Sequence, residues 1–232
     1  MLKAFITDVD GTLTDNRRRL SLSAVEEIRR LTDADIPVVL ASGNTVCFLD
    51  TLAHMIGCDG NVIAENGGVY RKGFLGAMHV EGDKSAAVAA YEKIISELQP
   101  KGDELRLFSA NLRYSDVAFA RGCDAGTASD IIKGMGVEVI DTGFAIHLHT
   151  PGLSKGRAFS EIAKEMGLSP SEFLAAGDSE NDISMLELAG EAVVPSTASL
   201  RTKDAVRAKG GSGHLSELPF GDAAAEALRE LF

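Results

Sequence analysis

Tryptophan is absent from the 232 residues, aromatic side chains of all kinds reach only 6%, and cysteine occurs three times. Cys47, Cys58 and Cys123 are odd in number and contain no C-x-x-C spacing, so neither a disulfide framework nor a zinc site is indicated and buried thiols are expected. No apolar run approaches the ~18 residues of a membrane span. The acidic motif described below begins by Asp8, which leaves no room for a signal peptide, and a cytoplasmic chain without membrane contact is expected. Positive charge is scarce as well. With 23 Lys and Arg against 34 Asp and Glu, the net charge is −11, which argues against nucleic-acid or membrane-surface binding, since both need a basic face. The only basic run, Arg17-Arg18-Arg19, is short and reads as a solvated face beside the first loop, with no partner assigned. Internal repeats and low-complexity segments are missing too.

What is present is an ample apolar complement, 45% of the chain, enough for one large core or two smaller ones. The apolar run from Leu2 to Ile6 leads into Asp8-Val9-Asp10-Gly11-Thr12-Leu13-Thr14, which reads as a buried strand running into an acidic loop. In open α/β sheets that strand end is the binding edge. Residues two apart on an extended segment face the same way, so Asp8 and Asp10 can address one substrate and divide the roles of nucleophile and acid/base. A calcium loop of the EF-hand type is excluded, because Gly11 follows the second Asp directly where a third Asp or Asn is required. A solvated acidic pair is the ordinary alternative for an isolated D-x-D; the segments further along the chain argue against it.

Ser23-x-x-Glu26 has capping-box spacing ahead of a helix marked by Ala24, Ile28 and Leu31. A second strand spans 36–41, and Ser42-Gly43-Asn44 then sits between that strand and a helix running from Val46 to Ile56 and stopping at Gly57, a junction suited to anions. Asn61 to Ala64 reads as a third strand, followed by a tight turn at Asn66-Gly67-Gly68 into Val69-Tyr70-Arg71. After Gly82 the pattern changes. Helices at 85–98 and 127–135 and strands at 105–108, 114–120, 137–140 and 144–148 suggest an inserted α+β unit with an antiparallel sheet, placed at 83–152, so that 1–82 and 153–232 form the parallel-sheet core. Lys155 opens a helix through Met166, 173–176 is a core strand, and Gly177-Asp178-Ser179-Glu180-Asn181-Asp182 follows it. A short strand at 192–194 and helices at 197–208 and 221–231 close the chain.

Asp8, Asp10, Asp178 and Asp182 thus all fall at strand ends, which a parallel sheet brings to one side. Two carboxylates ~4 Å apart repel by about 4 kcal/mol at an effective dielectric near 20, so the cluster calls for a cation. Hard oxygen donors without well-spaced His or Cys indicate Mg²⁺ in preference to zinc. A phosphoryl group would then lie between the metal, Lys155 and the Ser42/Gly43 corner.

Taken together and in this order, the four segments resemble the haloacid dehalogenase-like phosphohydrolases, in the branch whose cap is inserted between the second and third motifs. The resemblance implies a Rossmann-like core with a mobile cap over its carboxyl edge. It also implies that Asp8 is the nucleophile forming an aspartyl-phosphate and that Asp10 protonates the leaving oxygen and then activates water. Ser42, Gly43, Lys155 and Asn181 would lie on the phosphoryl side, and Asp8, Asp10 through its carbonyl, Asp178 and Asp182 would hold Mg²⁺. Ser42-Gly43-Asn44 departs from the Thr-Gly-Arg of the sugar-phosphatase members. With the compact cap and the Glu65-Asn66-Gly67-Gly68 turn, it is more similar to the archaeal-type phosphoglycolate phosphatases. The expected activity is therefore hydrolysis of a small phosphomonoester, 2-phosphoglycolate first, by a monomer or homodimer; a sugar-phosphate phosphatase, a phosphosugar mutase and a non-catalytic sugar-phosphate-binding regulator are the alternatives. Arg113 and Arg121, an even number of residues apart around the strand 114–120, are expected on one face of the cap, where either one reaches the substrate carboxylate or both remain solvated.

Overall fold

The computed structural model describes residues 1–232. In chain order its elements are β1 (Ala4–Thr7), α1 (Leu22–Asp33), β2 (Val38–Ala41), α2 (Val46–Ile56), β3 (Asn61–Ala64), β4 (Val69–Arg71), β5 (His79–Val80), α3 (Lys84–Leu98), β6 (Val117–Phe119), α4 (Ala125–Ile131), β7 (Glu138–Asp141) and β8 (Ile146–His149). They continue with α5 (Lys155–Glu165), β9 (Phe173–Ala176), α6 (Ile183–Leu188), β10 (Glu191–Val194), α7 (Leu200–Arg207), β11 (Gly213–Leu215) and α8 (Phe220–Leu231). Eight strands form one sheet in the order β11-β10-β9-β1-β2-β3-β4-β5, parallel from β11 to β3 and antiparallel at β4 and β5. The chain winds outward from β1 in one direction through β2 and β3 and later in the other through β9, β10 and β11. The sheet therefore has its topological switch point at β1, and the crevice beyond the carboxyl ends of β1 and β9 is where such folds bind ligands.

Both faces of this sheet are covered, as the unbroken apolar runs of its strands require. Phe5, Leu40, Val62 and Leu174 point to one side, where they pack with Ile28, Leu31, Leu49 and Leu228 of α1, α2 and α8. Ile6, Val39, Ile63 and Ala175 point to the other and pack with Phe159, Ile162, Met185 and Val206 of α5, α6 and α7. Neighbours in sequence alternate between the two clusters because successive strand residues face opposite ways. Each large side chain sealed completely, such as Phe5 or Phe159, contributes ~1.5–3 kcal/mol of burial.

Strands β6, β8 and β7 form a separate antiparallel sheet in that order. Val117, Phe119, Ile146 and Leu148 face α3 and α4 in a third core with Ala90, Ile94 and Ala128. The opposite face carries Ala118, His147 and His149, and the β6–β8 register sets Ala118 against His147. This α+β layer is a cap over the carboxyl edge of the large sheet. No helix is long and apolar enough to cross a membrane.

Several local expectations are corrected. Helix α1 is capped by Ser21, whose side chain accepts from the Ala24 amide; Ser23 already lies within the first turn, and both serines donate to Asp222 of α8. Residues 105–108 form no strand of their own but lie along β6 through a Leu107–Phe119 bridge, and α4 ends four residues earlier than the apolar pattern indicated. Only Cys58 is buried; Cys47 is exposed and Cys123 intermediate, and all three are free. Strands β5 and β11 were not foreseen.

Candidate active site

Thr7 ends β1, and the Asp8 amide still donates to Ala176 O of β9 at 2.9 Å, which fixes the Asp8 side chain between the two strand ends. The loop that follows closes on itself through Gly11 N to Thr14 Oγ1 at 3.2 Å. Gly11 has φ +86°, and a Cβ there would come within 2.4 Å of Asp178 Oδ2. Only glycine permits both the turn and the approach of that carboxylate.

Lys155 opens α5, and nothing of it is exposed. Its Nζ donates to Asp8 Oδ1 and to Asp182 Oδ1, both at 2.6 Å, leaving one N–H of the ammonium uncommitted. Burial works against the charge, yet Asp182 and Asp8 together hold the ammonium above its usual range. Gly67, at φ +96°, lets the 65–68 turn press on the start of α5, where a Cβ would meet Ser154 O at 2.2 Å. Asp182 is equally enclosed. Its Oδ2 accepts from the amides of Asp178 and Ser179, each at 3.1 Å, and from the Ser179 hydroxyl, so it braces the loop beyond β9 while its Oδ1 braces Lys155.

One atom in this cluster is left over. Asp8 Oδ2 is buried and has no hydrogen-bond partner, although an unsatisfied buried acceptor costs ~1–3 kcal/mol or more. Ligand oxygens of Asp8, Asp178 and Asp182 lie within 4.8 Å of one another. Burial pushes the Asp8 carboxyl well above the ordinary range, against the pull of Lys155, and the charges of Asp182 and Asp178 push the same way. Asp178 is pushed up to about 7, by burial first and by Asp182 second. One lysine thus falls short of neutralising the set, and an all-oxygen donor set with an orphaned carboxylate oxygen fits a hard divalent cation such as Mg²⁺.

The remaining sequence-predicted residues come to the same crevice. Asp10, Ser42, Gly43, Asp178 and Asn181 line a cleft of ~680 Å³ with Asp8. Ser42 Oγ accepts from the Asn44 amide at 3.1 Å, which leaves its proton free for a ligand, and Asn181 Nδ2 donates to Asn66 Oδ1 at 3.0 Å. A larger groove of ~890 Å³ lies at the amino ends of the strands, lined by Lys3, Asp59, Phe74 and Met166 among others. It contains no such convergence of catalytic groups, so the smaller cleft is the candidate site.

Other residues of the site were missed. Asn44 Nδ2 donates to Asp10 Oδ2 at 2.7 Å and to Ser42 Oγ at 3.1 Å, linking the second motif to the first; its place directly after Ser42-Gly43 was the available signal. Glu65 is completely buried and clasps the cap: its carboxylate accepts from the amides of Tyr114, Ser115 and Asp116 at 2.8–3.2 Å and from the Ser115 hydroxyl at 2.7 Å. Arg113 belongs to the cleft, but its guanidinium is committed to Asp116 Oδ1 at 2.7 Å, Phe108 O at 3.0 Å and Gly43 O at 3.2 Å. Arg121 is outside the cleft, paired with Asp141 at 2.8 Å. The expected pair on one face is therefore corrected, because β6 is only three residues long and neither arginine lies on it. Arg18 is not merely a solvated residue of a basic run: it lines the cleft, with its guanidinium carbon 3.5 Å from the centroid of Phe144 in the cap.

A family model described as haloacid dehalogenase-like hydrolase matches residues 5–119 and 129–211. A protein of Methanoculleus marisnigri named phosphoglycolate phosphatase is 53% identical over 100% of this chain and 97% of its own length. One of the same name from Methanospirillum hungatei is 44% identical, again over 100% of this chain and 97% of its own. Among solved structures, a Thermoplasma acidophilum protein superposes with a TM-score of 0.84 at 25% identity, over 99% of this chain and 98% of that one.

Proposed function

The chain belongs to the haloacid dehalogenase-like hydrolases, and on that premise we propose that it is a cytoplasmic Mg²⁺-dependent phosphatase that converts 2-phosphoglycolate to glycolate and phosphate. The single observation that carries the chemistry is the buried, unpartnered Asp8 Oδ2 beside Asp178 and Asp182, with Asp10 two residues on. The substrate is supported by the name that the full-length archaeal relatives share.

A carboxylate oxygen of Asp8 attacks phosphorus as the bond to the glycolate oxygen breaks, and Asp10 gives that oxygen its proton. Glycolate leaves and an aspartyl-phosphate remains on Asp8. Asp10, now a carboxylate, takes a proton from water whose oxygen attacks the phosphorus; the bond to Asp8 breaks and phosphate is released. The Asn44 amide holds Asp10 Oδ2, which leaves Oδ1 to carry the proton. Lys155 and the Ser42/Gly43 corner hold the phosphoryl oxygens, and Asn181 lines that side of the cleft. Asp8, Asp178 and Asp182, with the Asp10 carbonyl, would hold Mg²⁺, which when bound offsets the charge gathering on the phosphoryl group. Residues 83–152 act as the mobile cap, and closing it over the cleft excludes bulk water from the intermediate.

A mutase would return the phosphoryl group to a second hydroxyl instead of water, and a binding regulator would have no use for both Asp8 and Asp10. The test is phosphate release across 2-phosphoglycolate, hexose phosphates and p-nitrophenyl phosphate, with Mg²⁺ and after chelation. The expected result is Mg²⁺-dependent release with the highest kcat/KM on 2-phosphoglycolate. Preference for hexose phosphates, or isomerisation without release, would contradict it.

A further inference from the structure

We propose that Arg18 and Arg106 together form the site that recognises the substrate carboxylate, one contributed by the core and one by the cap. The inference rests on the preceding assignment of a small phosphorylated acid as substrate. Four cationic or potentially cationic side chains line the cleft: Arg18, Arg106, Arg113 and His147. Asp116, with no exposed surface, already occupies two of them, accepting from Arg113 through Oδ1 and facing His147 Nδ1 at 2.9 Å through Oδ2. Arg113 thus has its counter-charge and spends its fork on holding the cap to the Gly43 carbonyl.

Arg18 and Arg106 are different. Neither makes an ion pair, although acidic residues outnumber basic ones throughout the chain. The acids that line the same cleft have other partners: Asp15 is bonded to Arg19 at 2.8 Å, Asp8 to Lys155, Asp10 to Asn44 and Asp178 to Thr12. Each guanidinium is placed on an aromatic ring. Arg18 lies over Phe144 at 3.5 Å and Arg106 lies over Phe108 at 5.4 Å, and the two rings are themselves 6.3 Å apart. A guanidinium stacked on an aromatic face keeps its in-plane N–H donors available for a carboxylate.

Local structure fixes both positions. Arg18 has φ +59°, at the tip of a turn in which Asp15 Oδ1 accepts from the amides of Arg17 and Arg19 at 2.8 and 3.0 Å. Arg106 and Phe108 are two apart on the extended segment that pairs with 118–120, through Ala120 N to Arg106 O at 2.9 Å and Phe108 N to Ala118 O at 2.8 Å. They consequently face the same way. Because one arginine belongs to the first core loop and the other to the cap, a carboxylate bound between them ties cap to core when the phosphoryl group is seated at Asp8. A phosphoester without a carboxylate gains no such tie, so discrimination appears in closure as well as in binding.

The test compares kcat/KM on 2-phosphoglycolate with kcat/KM on 2-hydroxyethyl phosphate, which has no carboxylate, in the parent and in Arg18→Met, Arg106→Met, Arg106→Lys and Arg121→Met. Methionine keeps an unbranched apolar side chain on the aromatic ring without the charge, and melting temperatures confirm that each variant is folded. The ratio of the two kcat/KM values is expected to fall by about ten- to a hundredfold in each cleft methionine variant, the effect of one lost charge-assisted bond. Lysine should lose less, retaining charge without the fork, and Arg121→Met, outside the cleft, should keep the parent ratio. A parent that does not favour 2-phosphoglycolate overturns the substrate assignment itself. A parent that favours it, with the ratio unchanged in both cleft methionine variants, overturns this proposal alone.

Discussion

A carboxyl held above its ordinary pKa weakens the fold at neutral pH, and Asp178 makes that cost measurable. Its pKa rises from the ordinary 3.8 to about 7 on folding, so between those values the native state binds the proton that the unfolded chain releases. Native stability then falls as pH rises from about 4 to about 7 and is constant in this respect above. At 1.36 kcal/mol per unit the full loss is about 4 kcal/mol, on the order of 10 °C in Tm for a chain of this length. Buried Asp8, shifted in the same direction, adds to it. A divalent cation bound by Asp8 and Asp178 displaces the proton and returns the loss, so the metal must stabilise the protein more at high pH than at low. Burial lowers the pKa of His149, whose contribution therefore rises with pH, but it does so with or without metal and cancels in the difference. The assay is thermal unfolding at pH 5, 6, 7 and 8, after chelation and with saturating Mg²⁺. The gap between the two melting curves should be small at pH 5 and widen as pH rises through 7, and in Asp178→Asn it should be small throughout. An equal gap at pH 5 and pH 8 would refute the reasoning.

Asp8→Asn should abolish turnover in a chain that still folds, and activity within about tenfold of the parent would remove Asp8 as nucleophile; Asp10→Asn should lose ~10²–10⁴-fold. Glu65→Ala leaves the amides of residues 114–116 without their acceptor and should lower the urea-unfolding free energy by ~2–4 kcal/mol, a loss below ~0.5 kcal/mol showing that the clasp contributes nothing. Ca²⁺ added to the Mg²⁺ enzyme should inhibit phosphate release, because its looser and larger coordination shell disturbs the in-line attack; support of full activity by Ca²⁺ would count against the site as described.

The parts of the fold legible in the sequence are those whose signal is local. Strand β3 at Asn61–Ala64 and strand β9 at Phe173–Ala176 are short apolar runs bounded by glycine or a polar turn, and α2 ends at Gly57 in the left-handed conformation expected of a helix stop. Asp8, Ser42, Lys155 and Asp178 could be singled out because each lies within two residues of the end of a core strand or opens a helix, and parallel topology then brings such positions to one edge. What was illegible depends on partners far along the chain. Ser23 has the right spacing to cap α1 but bonds to Asp222, 199 residues away. Glu65 reads as an ordinary turn residue until residues 114–116 close over it, and Arg18 as a solvated residue until Phe144 arrives from the cap. Strands β5 and β11, of two and three residues, are too short to carry a periodicity.

The central claim is that a phosphoryl group from 2-phosphoglycolate passes through Asp8. Rapid acid quench of the Mg²⁺ enzyme with substrate labelled in the phosphoryl group tests it most directly, followed by peptide mapping at acid pH. Label should appear before steady-state phosphate release, be removed by hydroxylamine as an acyl phosphate is, and map to the peptide containing Asp8. Steady phosphate release with no covalent label in the first turnover, or label on a peptide without Asp8, would contradict it.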